Sequence, residues 1–273
     1  MRSTLMAAAA AAALAGAAHA QVTAPEQNAD ALPRFGDQPD WRVSVGAAAI
    51  LRPQWDGADE LDPLVVPDID VRWRDRFFAS FRTGVGYNLI TENGWRAGPY
   101  AKLKFGRDES DDSALRGLGD VDATAEVGGF VEKSWRFARA SLEVRQGLGG
   151  HEGLVIEAGG DLRFRLSETV ALAAGPRVRA VSDDYMQTYF GVTPTQSVRS
   201  GLPTFSAGGG LESAGLAGAV LWRPQPRTTI TAFAEQSRLL GDAADSPLVR
   251  LRGDENQTRL GVAIGYRLGA APR

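Results

Sequence analysis

Two histidines occur in the 273 residues, and cysteine is absent. Only His151 stands where a general base could be assembled, in the glycine-rich run Gly147-Leu148-Gly149-Gly150-His151-Glu152-Gly153. A Ser-His-acid site needs that imidazole beside an activated hydroxyl. No Gly-x-Ser-x-Gly motif surrounds any serine, so His151 reads as a solvated loop residue and the chain as a protein without an enzymatic role. The cluster Asp108, Glu109, Asp111 and Asp112 offers oxygens to a hard cation, but it lacks the ordered spacing of a dedicated calcium loop. It reads as a solvated outer face, and neither metal nor cofactor is expected.

The more informative charges come at every second position. Asp68, Asp70, Arg72 and Arg74 alternate with Val65, Pro67, Ile69, Val71 and Trp73, and Glu157, Asp161, Arg163 and Arg165 sit in a second such run. Arg96, Lys102, Lys104, Asp122, Glu126, Glu143, Arg145, Arg177 and Arg179 extend the pattern. A period of two places one set on each face of a strand, here one apolar and one ionised. Side chains of both signs brought into a narrow lumen would pair with one another and fill it, or leave a small polar path.

Positioning these groups requires strands. Alternating segments run from Trp41 to Leu268, many about ten residues long, the length a tilted strand needs to cross a bilayer. The final one, Leu260 to Leu268, sets Leu260, Val262, Ile264, Tyr266 and Leu268 against Gly261, Ala263, Gly265 and Arg267. Trp41, Trp73, Trp95, Trp135 and Trp222 fall near segment ends, as an interfacial girdle would. Links alternate long and short: long around 107–119, 147–153, 182–204 and 241–256, short around 91–94, 132–135, 167–168 and 223–227. The stretch 76–90 is one strand or two, split near Arg82 to Gly84. The expected fold is all-β, a closed antiparallel transmembrane barrel of about 12 strands, with 10 as the alternative.

Met1-Arg2, the alanine-rich stretch to Ala18 and Ala18-His19-Ala20 read as a signal peptide over residues 1–20. Residues 21–40 read as a proline-bearing periplasmic lead-in, 41–268 as the barrel and 269–273 as a short tail. Without Arg2, 29 basic residues face 33 acidic ones, which disfavours a nucleic-acid partner. The long link carries Tyr185, Met186, Tyr189 and Phe190, whose apolar surface favours burial; a fold back over the barrel mouth is expected.

The block Ser182-Asp183-Asp184-Tyr185-Met186-Gln187-Thr188-Tyr189-Phe190-Gly191-Val192, with Gln196-Ser197 and Ser200-Gly201-Leu202-Pro203, resembles the signature of the MipA/OmpV family. Pro63 to Pro67, Arg76-Phe77-Phe78, Gly84 to Leu89 and Leu239 to Val249 are similar to further family stretches, together spanning most of Trp41 to Leu268. At the last strand the family's closing aromatic residue is replaced by Leu268. The resemblance implies a protein of the Gram-negative outer membrane, in contact with its lipid and lipopolysaccharide. It also implies a scaffold role towards a lytic transglycosylase and a bifunctional murein synthase. Other members suggest a narrow small-solute channel or a surface adhesin as the alternatives.

Overall fold

The structure is a computed structural model that describes residues 40–269. The expected signal peptide, nearly all of the lead-in and the end of the tail lie outside the described residues. Twelve strands follow in order: β1 (Trp41–Pro53), β2 (Leu61–Trp73), β3 (Phe77–Ser80), β4 (Gly84–Tyr87), β5 (Trp95–Lys104), β6 (Thr124–Ser134), β7 (Ala138–Gly149), β8 (Leu154–Arg165), β9 (Val170–Val181), β10 (Gly210–Gln225), β11 (Thr228–Leu239) and β12 (Asn256–Arg267). Each pairs antiparallel with the next, and β1 pairs with β12 from Ser44↔Arg267 to Leu51↔Leu260, closing the barrel. An even strand number returns both ends to one rim, which also holds the short turns.

The alternation decides which face looks outward. On β12, Leu260, Val262, Ile264 and Tyr266 are exposed and Ala263 is buried. On β2, Val65 is 72% exposed, and on β7, Arg145 is 1% exposed. A water-soluble sandwich would show the reverse, so the apolar wall faces lipid and the charges face the lumen. The tryptophan girdle is one-sided, with Trp41, Trp73, Trp95, Trp135 and Trp222 all at the short-turn rim. There Arg74 lies 5.3 Å from the Trp73 ring and Lys133 lies 4.8 Å from the Trp95 ring. Apolar rings with cations beside them suit the layer between hydrocarbon and water.

The stretch 76–90 resolves into two strands of four residues each. Their hairpin climbs only part of the wall, and β2 pairs with β3 only over Asp70 to Trp73. Above it the Phe81 N–H donates to the Ile69 carbonyl at 3.2 Å, which shows that odd-numbered residues of β2 present their backbone to that side. Pro63 and Pro67 share this parity and have no N–H to leave unpaired, a device that blunts an open edge in hydrocarbon.

The long links stand at the opposite rim and contain four short helices: α1 (Asp183–Phe190), α2 (Pro194–Ser200), α3 (Gly241–Asp245) and α4 (Pro247–Arg252). Residues 54–60 and 105–123 join them, whereas the link expected over 147–153 shortens to 150–153 because β7 continues to Gly149. At the closing seam Gly46 faces Gly265, and a Cβ at position 46 would overlap the carbonyl oxygen of Ile264. Gly46→Val should therefore leave much of the purified chain unclosed. Heat-modifiable gel migration reads this as loss of the fast-migrating folded band, whereas Ala47→Val, on the lipid face, should keep it.

Candidate functional site

The lumen holds two storeys of ion pairs beneath a roof. In the storey nearer the short turns, Glu132 accepts from Arg96 at 2.8 Å and lies 2.9 Å from Arg139, while Asp161 takes Arg177 at 2.6 Å and Arg139 at 3.5 Å. In the upper storey Arg145 is the hub. Its Nε donates to Glu126 at 2.7 Å, and its Nη1 donates to Glu143 at 2.7 Å and to Glu157 at 3.0 Å. The Tyr100 hydroxyl accepts from the same Nη1 at 2.8 Å and donates to Glu143 at 2.5 Å. Glu157 also accepts from the Nε of Arg179 at 2.8 Å. Arg179 stands 3.6 Å from Glu212, which the bulge between Leu211 and Ser213 on β10 turns inward.

Among the inward charges, β1, β2 and β9–β12 also carry an apolar cluster. Ala48, Ile50, Val66, Leu221 and Phe233 pack together there, and Gly261 leaves room for the Phe233 ring. A cavity of about 150 Å³ runs from Asp75 and Asn88 at the short-turn rim up to Arg259 and Ser237.

Above it lies a lid made by four links. Tyr185, Met186, Tyr189 and Phe190 recur one turn apart on α1, so they share one buried face. They pack with Trp55, Leu115, Leu118, Leu202, Leu248 and Val249 in one apolar cluster. Hydrogen bonds pin it: Arg107 donates to the Tyr189 carbonyl at 3.0 Å, Ser246 to the Phe190 carbonyl at 2.6 Å and Arg252 to the Ala114 carbonyl at 2.8 Å. The long link thus folds inward over the mouth.

At the junction of lid and lumen, Asp56 bridges Lys104 at 3.3 Å and Arg259 at 3.2 Å, and the Lys104 ammonium sits 4.5 Å from the Tyr189 ring. Burial opposes the ionisation of Asp56, but the Lys104 and Arg259 charges outweigh it and hold its carboxyl far below the usual range. Burial pushes the phenols of Tyr185 and Tyr189 up.

Here the sequence reading of His151 needs correction. The ring is buried, with Nε2 3.2 Å from Glu126, and Nδ1 accepts the Gly153 N–H at 3.3 Å. With Nδ1 accepting, Nε2 carries the proton and donates to Glu126. The ring meets Tyr185 edge-on at 4.9 Å, which makes His151 a bracket between the charged storey and the lid. Glycine spacing concealed this, because Gly147 is the position at which a side chain would strike the ring.

The acidic run lies in the link before β6 with Asp108 and Asp111 exposed, as expected of a solvated face, and it makes contacts the sequence did not show. Glu109 accepts from the Gly117 and Gly119 N–H groups at 3.0 and 2.8 Å and pairs with Arg199 at 3.1 Å, while Asp112 accepts from the Trp55 indole at 2.8 Å. These carboxylates staple the lid. Among the described residues no group of three or more His, Asp or Glu is placed to hold a metal ion.

Of the lumen charges singled out in the sequence, Glu157 and Asp161 belong to the two storeys, Asp68 pairs with Arg82 at 2.9 Å, and Asp70 with Arg72 at 3.0 Å. Arg74 stands in the turn after β2 with φ 48° and pairs with Asp40. Arg163 donates to the carbonyls of Trp135 and Ala138 and Arg165 to that of Ser167, and Asp122 lies in the link before β6. Asp56, Trp55 and the helices of the lid were not anticipated. Two signals for the helices were available: the Thr193-Pro194-Thr195-Gln196 capping box and Ser246-Pro247, a cap followed by proline at the first helical position.

The family model described as MltA-interacting protein MipA matches residues 45–268. No curated protein sequence matches the chain. Similar solved structures include the NanC porin, 8% identical, covering 83% of this chain and 100% of that one with a TM-score of 0.43. An outer membrane channel from Pseudomonas putida F1 is 9% identical, covering 86% of this chain and 98% of that one with a TM-score of 0.44.

Arg145→Met strands Glu126, Glu143 and Glu157 around a vacated centre. Breaking a buried pair by removing one partner costs about 3–5 kcal/mol, and urea unfolding in detergent micelles should show a loss of that size. Arg250→Gln, on the outer surface of the lid, should change little.

The lid has its own pH window. The Asp56 contribution is complete above the unfolded carboxyl value of about 3.9 and is lost only as pH falls through its depressed folded value. The tyrosine contribution is complete below about pH 10 and is lost as pH rises towards the raised values. A variant keeping Trp55 as its single tryptophan should hold constant emission between about pH 4 and pH 10, with red shifts beyond both limits.

Proposed function

We propose that this chain, which belongs to the MltA-interacting protein MipA family, is a non-catalytic scaffold of the Gram-negative outer membrane that works through its periplasmic rim. The observation that carries this reading is the closed mouth: an apolar lid lies across the loop end, and the upper lumen is filled by mutually paired charges. A barrel built to pass solutes keeps an aqueous path, whereas this one spends its lumen on rigidity. The surface left for partners at the opposite end is the short-turn rim, with exposed Arg74, Arg136 and Arg165, and the lead-in of residues 21–40 that enters β1 there.

The partners implied by the family are a lytic transglycosylase and a bifunctional murein synthase. Both act on peptidoglycan, which lies on the side this rim faces when long links point outwards. Lipid and lipopolysaccharide contact the apolar wall and the loop rim. A narrow channel is the second reading, favoured by the 150 Å³ cavity; an adhesin would use the outer surface of the lid, where Val198 and Leu251 are exposed.

Affinity capture from crosslinked envelopes separates these classes. Murein hydrolase and synthase should be recovered together with the full chain, and removal of residues 21–40 should lower their recovery several-fold while heat-modifiable migration is kept. In planar bilayers the full chain should stay near baseline conductance. Steady open-channel currents together with no murein enzyme in the captured fraction would replace the scaffold with the channel.

A further inference from the structure

Eight basic and five acidic side chains line the cavity in the lumen. The acids are engaged, and of the cations Arg72, Arg82 and Arg177 pair with Asp70, Asp68 and Asp161. Glu132 holds Arg96 and Arg139, Glu157 holds Arg145 and Arg179, and Glu143 holds Arg145 and the Tyr100 hydroxyl.

Lys102 is the lining cation that no carboxylate takes. It faces inward from β5 and stands opposite Glu126 in the β5–β6 register, but Glu126 is taken by Arg145 at 2.7 Å and by His151 at 3.2 Å. The Lys102 ammonium lines the cavity and makes no hydrogen bond or ion pair with the described residues. An ammonium has three donors to satisfy, and a half-buried cation is costly without an acceptor in contact with it. The hydroxyls of Ser141 and Thr83 line the same space.

The approach from the short-turn rim has the same sign. Arg223 and Arg267 lie half-buried near the ends of β10 and β12 and likewise make no ion pair with the described residues. Together with the closed lid, this describes a blind compartment whose open end attracts anions. At about 30 Å³ per water, the 150 Å³ cavity has room for roughly five waters, or for a small polyanion that displaces them.

We propose that the lumen is a binding site for a small polyanion bearing carboxylate or phosphate groups, admitted from the periplasmic rim and held by Lys102. This goes beyond the scaffold reading and does not depend on it. The anion supplies the acceptor that the protein withholds from Lys102, so occupancy also stiffens the barrel.

The test is calorimetric titration of the full chain in zwitterionic detergent with citrate and, separately, with pyrophosphate. Saturable binding of at least one is expected, at one site per barrel and weakening with added salt. Lys102→Gln should weaken it at least fivefold, Lys102→Arg should keep it within about twofold, and Arg250→Gln, which removes the same charge from the outside of the lid, should leave it unchanged. Heat-modifiable migration confirms that each variant is folded. The tighter probe identifies carboxylate or phosphate as the preferred chemistry. Absence of saturable binding of both probes, or equal affinities in wild type and a folded Lys102→Gln, overturns the site; so does an Arg250→Gln loss as large as that of Lys102→Gln.

Discussion

An unpaired backbone N–H or C=O costs several kcal/mol in hydrocarbon, and this requirement governs the whole molecule. Once strands cross lipid, the sheet has to return to its first edge, and β1 meeting β12 over eight residue pairs does so. Closure then imposes its own demands at particular residues. Gly46 lets two backbones approach at the seam, and Pro63 and Pro67 remove donors where the short β3–β4 hairpin leaves β2 without a neighbour. An alanine-rich, glycine-rich sequence serves this architecture because a small barrel lumen has room for few large side chains.

Closure also turns the protein inside out, which makes the lumen the costly place for charge. Desolvation is offset by giving arginines two carboxylates or carboxylates two cations, as at Asp161, Glu157 and Arg145, so the storeys behave as one network rather than as separate bridges. Such a network resists opening, because withdrawing one member strands several others. The apolar cluster of Ile50, Val66, Leu221 and Phe233 needs no such arrangement.

Lid and network meet at Lys104, Asp56 and His151. The Lys104 ammonium touches the Tyr189 ring on one side and Asp56 on the other, and His151 links Glu126 to Tyr185. The apolar cluster of the loops is therefore fastened to the ionic lumen by groups that belong to both. A mouth built this way is closed by construction.

Much of this was legible in the residues themselves. Strict alternation such as Leu260-Gly261-Val262-Ala263-Ile264 determines which face is greasy, segment length indicates the bilayer, and the spacing of long and short links sets the strand count and the common rim for both ends. These follow from local periodicity, which a strand expresses wherever it lies. What partners each charge was not legible, since Arg145 finds Glu126, Glu143, Glu157 and Tyr100 only through the register of four adjacent strands. Nor was the burial of His151 and Trp55, because links distant in sequence cover them. A period of two assigns a face to a side chain, whereas its neighbour across the lumen depends on strand stagger and loop packing, and only the closed tertiary structure decides those.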